Sequence, residues 1–275
     1  MNILLSPAVA FHLGPLTVRW YGLIISCAML LGVFLAYKEA QRQKLDTDHL
    51  LNIILLTLPI AVIGARLYYV IFQWDYYALH PEDIIAIWKG GLAIHGGLIA
   101  GILTVVLYCR RKKQSFWRWV DVMVPSVVLA QGIGRWGNFA NKEAFGSVIE
   151  EGSFWSWIPM QVYVDGAYHH PTFLYESVWD ILIFIALIIL IRKPHRVGDI
   201  FANYLILYSV GRFFIEMLRT DSLMLGPLRV AMLISLAGVV IGLLILHKNK
   251  SSPVVDVANY PDDKRNPAKK GKNKK

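Results

Sequence analysis

The stretch of sequence that decides the fold is LLNIILLTLPIAVIGARLYYVIF, residues 50–72. It holds a single charged side chain, Arg66, in 23 residues. An α-helix needs about 20 apolar residues to cross the hydrocarbon core of a bilayer, and in lipid it satisfies its own backbone hydrogen bonds. The stretch therefore predicts a membrane-spanning helix.

Six further stretches have a similar length and apolar character. The whole chain is 56% hydrophobic with a mean hydropathy of +0.47, which is too apolar for a soluble domain with a polar surface. The predicted fold class is an all-α polytopic membrane protein, a bundle of seven transmembrane helices. The predicted spans cover residues 20–37, 50–72, 90–109, 120–139, 172–191, 199–218 and 227–246.

The distribution of positive charge predicts the orientation of these spans. Loops after spans one, three and five, together with the tail from Lys248 onward, hold 20 of the 28 Lys and Arg residues. The loop 74–83 has none, and 139–171 has only Lys142. Because cytoplasmic loops are enriched in basic residues, we expect the N-terminus outside and the C-terminus in the cytoplasm.

The chain divides by composition into two parts. Residues 1–247 are predicted to form one seven-span transmembrane domain, with the loop 139–171 on the outer face. Residues 248–275 are rich in Lys, contain Pro and Gly and have little to bury, so they are predicted to be a disordered cytoplasmic tail. Such a tail attracts anionic membrane lipids, and its place directly after a span argues against nucleic-acid binding.

Arg135 lies in QGIGRWGNFANKEAFG, residues 131–146, near the outer end of span four. An ionisable group inside a span is costly, which makes it a functional hypothesis by default. A guanidinium fork suits a phosphate because it offers several donors in one plane. The alternative is a structural ion pair with a carboxylate such as Glu143. Gly132, Gly134 and Gly137 leave room for a substrate or for another helix.

A second set of polar side chains lies in YSVGRFFIEMLRTD, residues 208–221. At 100° per residue, Tyr208, Arg212, Glu216 and Arg219 fall within about 80° of arc and share one helix face. The i, i+4 spacing of Arg212 and Glu216 also allows a purely structural salt bridge.

Three other polar residues have two open interpretations each. His95, in GLAIHGGLIAG (91–101), is either a general base or a histidine in a glycine-rich helix contact. Tyr21 either donates a hydrogen bond to a substrate or belongs to an aromatic belt. Arg66 is expected to pair with a carboxylate, for which Asp121 and Glu176 are candidates.

The chemistry that these residue types support is the binding of an anionic lipid headgroup. The sequence has no HExxH motif, no paired Asp motif and only two cysteines, both in apolar stretches, which argues against a metalloprotease, an aspartyl protease and a covalent thiol enzyme. A transporter for an anionic solute is the main alternative, although the internal repeat that is common in transporters is missing. A lipid-binding scaffold without catalysis is another alternative.

Four motifs together resemble those of the prolipoprotein diacylglyceryl transferase family. They are HGG (95–97), GRWGNFANKEAFG (134–146), HPTFLYE (170–176) and YSVGRFFIEMLR (208–219). The resemblance implies transfer of the diacylglyceryl group of phosphatidylglycerol to the lipobox cysteine thiol of a prolipoprotein, with release of glycerol phosphate. It further implies a place in the bacterial cytoplasmic membrane, with the site toward the outer leaflet, and no metal or nucleotide cofactor.

The resemblance also implies roles for individual residues. His95 is the expected general base, and Arg135 and Arg212 are expected to hold the phosphate and stabilise it as it leaves. Other residues are expected to support this chemistry at the substrate. Asn138 and Tyr21 would orient the headgroup, Glu143 and Gly146 would shape the site, and Tyr208 and Glu216 would position Arg212.

Overall fold

The computed structural model describes residues 8–14 and 16–254. Seven helices of 18 residues or more lie in this part of the chain, and each coincides with one predicted span. A single-turn helix, α3 (Trp74–Tyr77), follows the second of them. The long helices are α1 (Trp20–Arg42), α2 (Thr47–Phe72), α4 (Ile94–Arg111), α5 (Phe116–Asn141), α6 (Thr172–Ile191), α7 (Asp199–Glu216) and α8 (Val230–Asn249).

The structure adds short elements that the sequence did not predict. Three 3-10 turns cover Pro81–Asp83, Ile87–Lys89 and Phe154–Trp157. Within the described residues, six short strands form three antiparallel two-stranded hairpins, which pair β1 with β2, β3 with β4 and β5 with β6. The strands are β1 (Val9–Leu13), β2 (Leu16–Arg19), β3 (Val162–Val164), β4 (Ala167–His169), β5 (Met224–Leu225) and β6 (Leu228–Arg229).

The chain forms two compact units, whose boundaries fall within α1 and α5. In the unit of residues 29–126, α2 packs closely against α4. A Cβ on Gly64 would lie 2.3 Å from the Ala100 Cβ, and one on Gly96 would lie 2.3 Å from the Gly64 carbonyl oxygen. Only glycine therefore permits this helix contact. A buried apolar cluster around Leu50 and Trp119 forms the core of this unit.

The other unit contains the described residues before 29 and after 126. Its helices α6, α7 and α8 pack in sequence, α7 against both neighbours. Two contacts here are as close as those of the first unit. A Cβ on Gly211 would lie 2.0 Å from the Trp179 indole nitrogen, and one on Gly238 would lie 2.2 Å from Ser209 Oγ.

Five of the seven long helices are apolar and long enough to cross a membrane: α1, α2, α4, α6 and α8. Many of their large apolar side chains are exposed, as Leu55 at 69% illustrates, which suits contact with lipid. The chain is thus a helical, multi-pass membrane protein. The other two helices, α5 and α7, carry Arg135 and Arg212, and such polar residues lower their apolar content. The count of seven spans and their orientation stay predictions.

Candidate active site

A buried ion-pair network surrounds Glu176, which lies in the second turn of α6. Its side chain is only 5% exposed and contacts three guanidinium groups. Arg135 Nη2 lies 2.5 Å from Glu176 Oε2, and Arg212 Nη1 donates to Oε1. Arg219 Nη1 lies 3.6 Å from the same Oε1. One carboxylate therefore joins arginines from α5, from α7 and from the turn that follows α7.

Glu216 extends this network along α7. Its Oε2 lies 2.6 Å from Arg212 Nη2, so the predicted i, i+4 salt bridge is confirmed. The Glu216 carbonyl accepts a hydrogen bond from the Arg229 guanidinium, at the start of α8. Arg219 pairs at 2.8 Å with Asp221, which is half exposed. Arg212 thus contacts two buried carboxylates, Glu176 through Nη1 and Glu216 through Nη2.

Arg135 reaches the network because α5 packs closely on α6. A Cβ on Gly132 would lie 3.0 Å from the Asp180 Cβ and 3.2 Å from the Ser177 carbonyl oxygen. Trp136 Nε1 donates to Ser177 Oγ at 3.0 Å in the same contact. Glu176, and not Glu143, is therefore the carboxylate partner of Arg135. The Tyr208 hydroxyl, expected beside Arg212, accepts a hydrogen bond from Arg135 Nη2 at 3.4 Å.

Gly146 lies where three segments of backbone meet. Its N–H donates to the His170 carbonyl at 2.9 Å, and Ser147 N–H donates to the Leu218 carbonyl at 2.8 Å. A Cβ on Gly146 would lie 2.8 Å from the His170 Cβ and 2.9 Å from the Leu218 oxygen. The end of the 131–146 motif thus ties the start of α6 to the end of α7, where the arginines lie.

Asn138, Glu143 and Tyr21 lie around the C-terminal end of α5. Glu143 N–H donates to the Asn138 carbonyl at 3.0 Å, and the residues on either side of Glu143, Lys142 and Ala144, have positive φ, 55° and 58°. A side chain on Gly137 would lie 2.8 Å from the Tyr21 ring, so this glycine accommodates another helix. Glu143 itself is exposed.

The loop 142–171 carries exposed aromatic side chains and one buried histidine. Phe154 and Trp157, in the 3-10 turn, are 72% and 67% exposed. The imidazole of His170 is buried and its Nδ1 lies 3.0 Å from the Tyr175 hydroxyl. Burial lowers the pKa of His170, so the imidazole is neutral at pH 7.

His95 and Arg66 belong to the unit of residues 29–126. His95 is an exposed residue in the first turn of α4, and its ring centroid lies 6.2 Å from that of Tyr68. The expectation that Arg66 pairs with Asp121 or Glu176 is wrong. Its guanidinium is buried and donates to the backbone carbonyls of the loop before α4, at 2.5–2.9 Å; these belong to Asp83, Ile84, Gly90 and Gly91.

Sequence reasoning missed the central carboxylate of the network and two of its neighbours. Glu176 was considered only as a partner for Arg66, and Asp180 and Arg229 were not considered. Asp180 is 1% exposed, and its Oδ2 has no hydrogen-bond partner in the described residues. The cost of a carboxylate inside an apolar span could have identified both acidic residues of α6. Within residues 8–14 and 16–254, no group of three His, Cys, Asp or Glu side chains could hold a metal ion.

The fold and this network define the class: a helical membrane protein with a buried site of arginine and glutamate side chains. The family model for prolipoprotein diacylglyceryl transferase matches residues 8–248. A phosphatidylglycerol–prolipoprotein diacylglyceryl transferase from Bacillus cereus (strain Q1) is 50% identical over 243 residues, 86% of this chain and 90% of that protein. One from Bacillus anthracis (strain A0248) is 49% identical with the same coverage. The chain belongs to the prolipoprotein diacylglyceryl transferase family.

Proposed function

We propose that this protein transfers the diacylglyceryl group of phosphatidylglycerol to the lipobox cysteine of a prolipoprotein, the first step of lipoprotein maturation. The cysteine sulfur attacks the carbon of the diacylglyceryl group that is bonded to the phosphate oxygen. A carbon–sulfur bond forms as the carbon–oxygen bond to phosphate breaks. The electron pair of that bond stays on the phosphate, which departs as glycerol phosphate, and the thiol proton passes to a base.

The observation that carries this proposal is the buried cluster of Arg135 and Arg212 within the matched segment. The leaving glycerol phosphate gains negative charge in the transition state. Guanidinium groups that are already fixed around this position stabilise that charge without reorganisation. Arg135 Nε is buried and has no partner in the described residues, so the fork retains a donor for the phosphate. Asn138 and Tyr21, at the same end of α5, would orient the headgroup.

His95 is the proposed base for the thiol. A free thiol has a pKa of about 8.5, so only a few per cent is thiolate at neutral pH. A neutral imidazole has an unprotonated ring nitrogen that can accept that proton. His95 is exposed at the N-terminal turn of α4, which supports access by a substrate. Glu143 and Gly146 would shape the site, and Tyr208 and Glu216 would hold the arginines.

We further propose that residues 1–247 form a seven-span catalytic domain in the bacterial cytoplasmic membrane, with the site toward the outer leaflet and the basic tail 248–275 in the cytoplasm. The alternation of basic loops supports this orientation. Replacing both native cysteines, Cys27 and Cys109, gives a background for single-cysteine labelling. A membrane-impermeant maleimide should label a cysteine at the exposed position Glu151 on intact cells, but one at the exposed position Lys112 only after permeabilisation. The reverse result would contradict the orientation.

The function is tested by incubating purified protein with phosphatidylglycerol and a peptide that carries a lipobox cysteine. One lipid sample is labelled in its acyl chains and another in its headgroup glycerol. Transfer predicts that the acyl label enters the peptide while the headgroup label is released as glycerol phosphate. A peptide with serine in place of the cysteine is the control. No label in the peptide would contradict the proposal, and transport of an anionic solute would then be the alternative.

A further inference from the structure

Glu176 was not among the expected site residues, yet it lies at the centre of the arginine network. Its two carboxylate oxygens contact guanidinium groups of three arginines, Arg135, Arg212 and Arg219. Arg135 and Arg212 are the arginines proposed to bind the phosphate, and they come from different helices. Glu176 is the carboxylate, among the described residues, that contacts both of them within 4 Å.

The backbone around Glu176 is fixed on several sides. Thr172 Oγ1, one turn earlier, donates to the Ala144 carbonyl, and His170 N–H donates to the Ser147 carbonyl at 3.0 Å. Ser177, the next residue, accepts a hydrogen bond from Trp136 at 3.0 Å. The carboxylate is therefore a fixed point to which longer and more flexible arginine side chains are held.

Stability alone does not explain this arrangement. Buried ion pairs lose so much hydration that apolar residues of the same volume are often equally stable. Without a carboxylate between them, guanidinium groups so close together would repel each other and turn apart. A carboxylate that two arginines share instead sets the distance and the angle between their remaining donors.

We propose that Glu176 is the positioning residue of the phosphate site, an inference that rests on the proposed function. Its carboxylate holds the Arg135 and Arg212 guanidinium groups so that their other N–H groups converge on the phosphate of phosphatidylglycerol. Glu176 does not touch the reacting atoms itself. It acts through the two arginines, and it should therefore affect the chemical step more than lipid binding.

The test is the kinetics of Glu176→Gln in the transfer assay, with rates expressed per folded molecule. Glutamine keeps the size and one acceptor but removes the charge. We expect kcat to fall by about 10- to 100-fold, because misdirected guanidinium groups lose their alignment in the transition state. The KM for phosphatidylglycerol should stay equal or decrease, because the site becomes more positive. Glu176→Asp keeps the charge with a shorter reach and should give an intermediate kcat.

The matched control is Asp199→Asn, which removes a partly buried carboxylate from the other end of α7. Asp199 accepts from Asn249 Nδ2 at 2.9 Å and from the Arg196 N–H at 3.0 Å. This variant should keep the wild-type kcat and KM.

An unchanged kcat in Glu176→Gln, or a raised KM with an unchanged kcat, would overturn the inference. If Glu176→Gln does not fold, the Glu176→Asp variant decides by the same two criteria. A wild-type protein that transfers no lipid would instead overturn the proposed function.

Discussion

Two buried arginine sites, one in each compact unit, show how differently one side chain can be used in an apolar helix. Among the described residues, Arg66 donates to four backbone carbonyls, which belong to the loop before α4. Arg135 and Arg212 both contact the Glu176 carboxylate, which lies on another helix, and Arg135 Nε has no partner in the described residues. The first arrangement fixes a loop, whereas the second leaves donors that can bind an anion.

The difference teaches that burial of an arginine is not by itself a sign of function. What matters is the number of donors that the protein leaves unused and the element to which the partners belong. Carbonyls of a neighbouring loop make a structural clamp, because the guanidinium replaces hydrogen bonds that the loop cannot make itself. Carboxylates shared between helices hold charge in place, which suits a site where charge develops during reaction.

The largest expected effect is that of Arg212→Ala on transfer. Removing a guanidinium that stabilises the leaving phosphate should lower kcat by about 100- to 1000-fold. Arg212→Lys keeps the charge but cannot contact Glu176 and Glu216 in one plane, so its kcat should lie between those of Arg212→Ala and the wild type. Steady-state transfer to the lipobox peptide measures the kcat of both variants. Wild-type kcat in the alanine variant would place the phosphate elsewhere.

Arg66→Ala should act on stability instead of kcat. Four backbone carbonyls would lose the Arg66 donor, although the Asp83 carbonyl would keep the Ala86 N–H, so we expect the free energy of unfolding to fall by about 3 kcal/mol. Thermal unfolding in detergent measures the change, and kcat per folded molecule should stay at the wild-type value. A large loss of kcat in a protein of unchanged stability would remove the distinction between the two arginine sites.

Gly146→Ala should lower both kcat and the free energy of unfolding, each by a smaller amount. The new methyl group would press on the His170 Cβ and the Leu218 carbonyl, and the backbone must move. We expect a loss of about 1–3 kcal/mol in the free energy of unfolding, with a reduced kcat as the start of α6 shifts. Gly22→Ala is the control, because a Cβ there meets nothing within 4 Å. Equal stability of the two variants would show that the contact at Gly146 relaxes easily.

The smallest expected effect is the pH dependence that His170 contributes. Burial lowers its pKa in the folded protein, so the unfolded chain binds a proton more readily. His170 therefore supports folding above its unfolded pKa of about 6.5, and this contribution is lost as the pH falls. The fall in thermal midpoint between pH 7.5 and pH 5.5 should be smaller in His170→Asn than in the wild type. An equal fall in the thermal midpoint of both proteins would contradict the conclusion that burial lowers the pKa of His170.

The sequence predicted the long helices well because apolar runs of spanning length leave few alternatives. The predicted positions of the helix ends were less accurate, and each difference has a physical reason. Helix α4, which corresponds to the third predicted span, begins at Ile94 and not at residue 90, because Gly90 and Gly91 have positive φ, 90° and 73°. The first helix runs past residue 37 to Arg42, where the Glu39–Arg42 pair at 2.6 Å stabilises its last turn.

The side-chain contacts of the candidate site were predicted correctly only where one helix supplies both residues. The shared face of Arg212 and Glu216 follows from helical periodicity, and their salt bridge is present. The partners of Arg135 and Arg66 depend on which helices pack together, which no local pattern in one sequence specifies. Glu176 was therefore not recognised as the centre of the network, and carbonyl partners for Arg66 were not expected.

The most direct test of the central claim is lipid transfer by the wild type and by Arg135→Ala, with Arg66→Lys as the matched arginine control. The account predicts that the wild type moves the labelled diacylglyceryl group to the peptide thiol. Arg135→Ala should lose nearly all transfer while it remains folded, and the folded fraction of Arg66→Lys should transfer at the wild-type rate. Full transfer by a folded Arg135→Ala would contradict the claim that this buried arginine cluster binds the leaving phosphate.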